Sequence, residues 1–217
     1  MKKVIISFLA IGTLLASCSD NAVKTGDAKE VKEIKNATTG TFNVINDGTT
    51  VEWKAWHLGK TGERFGKVSI TDAEMLVNEG TLTNGKFVIN IASLTVENFP
   101  NDSTKTADLS GHLIGGDFFM VDSFPTASFE ITSVEVAEGD YNTSITGNLT
   151  IKDSTKSISF KSNVEVTEEL VSLNSETFEV NREDWGLTYH KEGSVDVPKE
   201  YIIHNNIAFT IKVNLAK

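Results

Sequence analysis

Four histidines and one cysteine are the side chains of this 217-residue sequence most able to take part in chemistry. His57, His112, His190 and His204 stand apart, and no two share the i, i+2 or i, i+4 spacing that brings imidazoles to one metal ion. A metal site would have to be assembled from distant strands, and none is expected. Ser110-Gly111-His112 lacks the Gly-x-Ser-x-Gly context of a nucleophile elbow. No glycine-rich phosphate loop follows a strand, and Gly115-Gly116 reads as a helix stop. Arg182 with Asp184 reads as a surface or barrel-end ion pair, worth little by itself. No catalytic residue is therefore expected, and the chain is read as a non-enzyme. His57, ending a strand, and His112, in a helix, read as structural hydrogen-bonding groups. If they face the mouth of a cavity, they become partners for a ligand's head group.

Composition narrows the field further. Asp+Glu is 30 against Lys+Arg 20, a formal charge of -10. That balance argues against a nucleic-acid partner, which needs clustered cations, and against simple electrostatic adhesion to anionic lipid. Hydrophobic residues make up 39%, enough for a globular core and too few for an integral helical membrane protein. Phe is 12 against 3 Trp and 3 Tyr, so most rings carry no polar handle. A single cysteine excludes an internal disulfide framework.

That cysteine stands at the end of an address. Met1-Lys2-Lys3 is a short cationic start, and Val4 to Leu15 is apolar except for Ser7, Gly12 and Thr13. This describes a secretory signal over residues 1–17, too short for a transmembrane helix of about 20 apolar residues. Leu14-Leu15-Ala16-Ser17-Cys18 resembles a bacterial lipobox. The resemblance implies cleavage before Cys18, thioether lipidation of its sulfur and N-acylation, giving stable membrane attachment through several acyl chains. Cleavage removes Lys2 and Lys3 and no acid, which takes the charge from -10 to -12. Residues 18–40 have no aromatic residue and many Lys, Glu, Asp, Asn and Thr, and read as a flexible tether. The expected location is the cell envelope, lipid-anchored at the outer membrane on its periplasmic or surface face.

Residues 41–217 carry the fold. Val51, Trp53, Ala55 and His57 alternate with Glu52, Lys54 and Trp56; Phe87 and Ile89 alternate with Val88 and Asn90. Ile145, Gly147, Leu149 and Ile151 continue the pattern, as do Ile158 with Phe160 and Ile207 with Phe209, Ile211, Val213 and Leu215. Such alternation predicts strands with one dry and one wet face. Asn46-Asp47-Gly48, Asn78-Glu79-Gly80, Asn84-Gly85 and Glu138-Gly139-Asp140 read as turns between them. The class is all-β, an antiparallel barrel, interrupted by a short helix over 103–116 capped by Ser103 or Thr104. Phe118, Phe119, Phe124 and Phe129 follow that helix, which could plug or gate one barrel end. A barrel of about eight strands closes on its own side chains or holds one slender ligand.

Several stretches together resemble the YceI-like family, also described as lipid- or polyisoprenoid-binding. They are Trp53-Lys54-Ala55-Trp56-His57-Leu58-Gly59 with Gly66, His112-Leu113, Asp117-Phe118-Phe119, and Phe124-Pro125-Thr126-Ala127-Ser128-Phe129. Ile145 to Ile151 with Thr155-Lys156, and Phe178 to Gly186 with Arg182, Asp184 and Gly186, complete the order. The resemblance implies an extended lipocalin-like barrel holding an isoprenoid-type chain, a polyprenol or a quinone tail, and no other cofactor. The residues expected to contact that ligand are Trp53, His57, Phe87, Ile89, His112, Phe118, Phe119, Phe129, Phe160, Phe178, Trp185 and Phe209. Three departures from the family pattern bear on the ligand more than on the fold: Lys152-Asp153-Ser154 where Gly is frequent, no basic residue ahead of His112, and Trp56, expected at the barrel surface. The competing reading is a surface-interaction or structural lipoprotein with a solid barrel and no ligand. A third, an envelope enzyme acting on a lipid or peroxide, would need a polar pair converging inside the tube. Homodimerisation is compatible with either of the first two.

Overall fold

The period-two runs become long antiparallel strands. The computed structural model describes residues 22–31 and 40–217; the expected signal segment, Cys18 and the rest of the expected tether lie outside the described residues. The strands are β1 (Gly26–Asp27), β2 (Gly40–Phe42), β3 (Val44–Ile45), β4 (Thr50–His57), β5 (Thr61–Asn78) and β6 (Thr81–Asn90). They continue with β7 (Thr126–Val136), β8 (Thr143–Ile151), β9 (Ser154–Val166), β10 (Leu170–Ser175), β11 (Phe178–Asn181) and β12 (Asn206–Ala216), and the helix α1 is Ser103–Ile114.

Eight strands close on themselves: each of β4 to β9 pairs with its successor, β10 pairs with β12, and β12 returns to β4. β11 carries on from β10 along β12 after a break at Glu176-Thr177. Each of the eight closing strands of this all-β barrel therefore has a partner strand on both sides. The chain directions define two ends. The connections at 57–61, 90–126, 151–154 and 181–206 emerge at one end, called upper here, and those at 45–50, 78–81, 136–143 and 166–170 at the other.

The lower end is solid. β2 pairs with β5 and β3 with β12, folding the chain across the base. Phe42, Met75, Val77, Val171 and Leu215 fill it, none more than 1% exposed. Removing each such side chain from water contributes about 1.5–3 kcal/mol.

Local chemistry sets the corners. Glu79 (φ 50°) and Gly80 (φ 76°) both adopt left-handed backbone, which matches the twist of the flanking strands in the β5–β6 hairpin. Asn84-Gly85, expected as a turn, is strand instead. The ladder runs through Asn84↔Leu76 and Gly85↔Met75, because Glu79-Gly80 has already reversed the chain. Gly147 and Gly66 are required by close approach. A Cβ at Gly147 would stand 2.3 Å from the Phe129 ring, and one at Gly66 would stand 1.8 Å from the Thr95 carbonyl oxygen.

α1 is capped by Asp102, whose carboxylate accepts from the Lys105 amide at 3.0 Å, and not by Ser103 or Thr104. The residue one step earlier leaves its side chain free to reach back over the first turn. None of the residues of α1 is fully buried, so the helix lies on the barrel as a cover.

The described part of the expected tether lies against the barrel. Val23 N–H donates to the Glu179 carbonyl, Thr25 Oγ1–H to Asp184, and β1 pairs with β9. Asn148 then grips the Lys29 backbone twice, accepting from its N–H at 2.8 Å and donating to its carbonyl at 2.7 Å. Val23 packs against the core, and backbone pairing supplies the rest of the docking of a segment with few apolar residues.

Candidate functional site

Above the packed base the barrel is hollow. A cavity of about 300 Å³ lies beneath α1 and the loops of the upper end. Its walls are inward positions of successive strands: Val51, Trp53 and Ala55 from β4, Val68 from β5, Ile89 from β6, Ala127 and Phe129 from β7, and Leu149 and Ile151 from β8. Ile158 from β9, Phe178 from β11 and Ile207, Phe209 and Ile211 from β12 complete the circuit. Leu109 and Leu113 of α1 close it from above.

Of the residues expected to contact a ligand, Trp53, His57, Ile89, His112, Phe118, Phe119, Phe129, Phe178 and Phe209 line this space. Phe87, Phe160 and Trp185 do not. Phe87 stacks on Phe129 at 6.3 Å and Phe160 on Phe178 at 4.7 Å, so both support lining rings from behind or below. Trp185, 1% exposed, donates its indole N–H to the Leu149 carbonyl at 3.0 Å and packs as a core residue. Phe124 also stands off the cavity, with the Lys152 ammonium 5.9 Å from its ring. The rings form a belt around the bore, Phe87–Phe129–Phe160–Phe178–Phe209, with neighbouring centroids 4.7 to 6.3 Å apart.

The upper end carries the polar groups. His112 Nδ1 and Asp117 Oδ2 are 2.6 Å apart, and the His112 ring lies 6.1 Å from Tyr189. Phe118, buried, tilts onto Tyr189 with centroids 5.4 Å apart. Trp56, expected at the surface, lines the cavity. The register shift between Ala55 and His57 breaks the alternation there, and the Lys60 ammonium sits 5.2 Å from its ring.

Arg182 is not a surface ion-pairing residue. It is 1% exposed, and its guanidinium donates to the backbone carbonyls of Leu187, Ile203 and His204. Burial pulls its pKa below the ordinary arginine value, partly offset by Glu183 and Glu192. Asp184 instead accepts from Thr25. Among the described residues three side-chain polar atoms are buried without a hydrogen-bond partner, Trp53 Nε1, His57 Nδ1 and Ser162 Oγ, and the first two are on residues lining the cavity.

Sequence reasoning missed part of this lining. Val51, Leu149 and Ile211 belong to the alternation already read and could have been taken from it. Arg64, Tyr189, His190 and Tyr201 carry no periodic signal, because they lie at strand ends or in the 181–206 connection, where the course of the chain decides what faces inward. Among the described residues no group of three or more His, Cys, Asp or Glu converges as a metal site. The space fits a hydrocarbon, with polar contacts available only near its upper end.

Comparison with known proteins agrees with this geometry. The family model for the YceI-like domain matches residues 42–215. UPF0312 proteins of Pseudomonas aeruginosa and Pseudomonas paraeruginosa are 33% identical over 111 residues, 51% of this chain and 53% of theirs. The chain thus spans about half the length of the curated relatives it matches. BcnA of Burkholderia cenocepacia has a similar structure, with TM-score 0.57 and 16% identity, covering 78% of this chain and 98% of that one. A polyisoprenoid binding domain from Saccharophagus degradans gives TM-score 0.54 at 9% identity, covering 82% and 99%. At these identities the likeness is one of fold.

Proposed function

Since this chain belongs to the YceI-like domain family, we propose that it is a binding protein that takes the hydrocarbon chain of an amphiphilic lipid into the upper half of its barrel. The observation that carries this reading is the apolar cavity of about 300 Å³ between the packed base and the α1 cover. Binding is driven by desolvation, about 0.8 kcal/mol for each methylene moved from water into the bore. The narrower reading is an isoprenoid-type chain, supported by the fold shared with the Saccharophagus degradans domain, described as polyisoprenoid binding. Lipidation at Cys18 would hold the protein at the cell envelope, where it sequesters or ferries its ligand with no turnover of its own. The solid-scaffold alternative has no place for this cavity.

The test is native mass spectrometry and solvent extraction of the protein purified from its own membrane. A stoichiometric long-chain lipid is the expected result. Protein that comes away without extractable lipid, and takes up none when offered, overturns the reading.

A further inference from the structure

The charged groups of the cavity are distributed against the composition of the chain. Asp+Glu is 30 and Lys+Arg is 20 in the whole sequence. Yet among the described residues no Asp or Glu lines the cavity, whereas both arginines of the chain, Arg64 and Arg182, and three of its four histidines, His57, His112 and His190, do. All five stand at the upper end: His57 ends β4, Arg64 lies near the start of β5, Arg182 follows β11, and His112 and His190 belong to the cover and the 181–206 connection.

Neither arginine has a carboxylate partner among the described residues. Arg64 Nη1 donates to the Gly62 and Glu63 carbonyls, both at 3.0 Å. Arg182 spends three of a guanidinium's five N–H groups on carbonyls, and neutral oxygens do not cancel its charge. The nearby acids are engaged elsewhere: Asp117 with His112, Glu183 with Lys191 and Asn205, Glu192 with Asn205. Glu183 and Glu192 offset the burial of Arg182 only in part, and an anion that reaches its guanidinium gains a charge-assisted hydrogen bond. His57 Nδ1, buried and unpartnered, lines the same cavity.

We propose that the bound amphiphile bears an anionic oxygen head group, a carboxylate or a phosphate, held at the upper end by Arg64, Arg182 and His57 while its chain fills the apolar bore below. This rests on the lipid-carrier reading and narrows its ligand to acidic single-chain amphiphiles.

The test uses the full chain, stripped of bound lipid, and three probes of equal chain length: hexadecanoate, hexadecyl phosphate and 1-hexadecanol, each displacing a fluorescent hydrocarbon probe. The expected result is at least tenfold tighter binding of one or both acids than of the alcohol, and the tighter acid identifies the head chemistry. Arg64→Gln, a partly exposed position where folding is checked by circular dichroism, narrows the acid-to-alcohol ratio at least threefold. Equal affinity for acids and alcohol, or an unchanged ratio in Arg64→Gln, overturns the head-group proposal and leaves the carrier standing. No displacement by any of the three overturns both.

Discussion

The ring of Phe160 lies flat on that of Phe178, with centroids 4.7 Å apart and planes 4° from parallel. Phe178 faces the cavity and Phe160 does not, so this stacked pair is where the wall of the bore joins its floor. Phe160, 3% exposed, also meets Phe129 at 5.6 Å. Phe160→Ala removes the support of two lining rings and leaves a void. The expected cost is about 3–5 kcal/mol in denaturant unfolding. A loss under about 1 kcal/mol would mean that the belt relaxes to fill the gap.

Filling the bore separates binding from folding. Ala127, 5% exposed, is the small residue in the β7 wall and pairs with Ile89. Ala127→Trp places an indole where a chain would lie. Lipid recovered by extraction should drop tenfold or more. Tm should fall by less than about 8 °C, the equivalent of ~2 kcal/mol in a chain of this size. Full lipid content in this variant would argue that the ligand lies outside the barrel.

The docked segment before the barrel is held by one side chain more than any other. Asn148 both accepts from and donates to the Lys29 backbone. Asn148→Ala should raise amide exchange at Lys29 and at Gly26–Asp27 by at least tenfold while changing global stability by only about 1 kcal/mol. Unchanged exchange would show that β1 pairing with β9 alone holds the segment.

The cover responds to acid through its cap. The Lys105 backbone N–H, and then the Lys105 side chain, hold the Asp102 carboxyl below its ordinary value of 3.8. A depressed folded value means the ionised form is bound more tightly in the helix. Its contribution is therefore present above about pH 3.8 and is lost as pH falls through the lower folded value. Amide protection at Lys105 should decline below pH 4, and Asp102→Asn should flatten that decline. A pH profile identical in the two proteins would exclude the cap as its source.

Much of the wall is legible in the sequence, because a strand sends alternate side chains to opposite faces. With Trp53 and Phe209 facing inward, the parity of Val51 and Ile211 follows. Parity does not say how deep a residue sits. Phe87 and Phe178 share the inward face, yet one backs a lining ring and the other touches the cavity. The break between Ala55 and His57 turned Trp56 inward, and a register shift leaves no mark in residue types. Asn84-Gly85 had the composition of a turn but lay in a ladder already reversed at Glu79-Gly80.

The sequence by itself determined the all-β class, the inward faces, the one interrupting helix and the family, since these depend on local periodicity and on ordered motifs. Only the tertiary structure decided that the base is packed while the upper half is hollow, that residues 22–31 lie against the wall, and that both arginines line one cavity. The physical reason is that depth, closure and charge juxtaposition arise between strands far apart in the chain. They depend on how the ring of β4 to β12 staggers as it closes, a property of the whole cylinder that no single stretch of residues encodes.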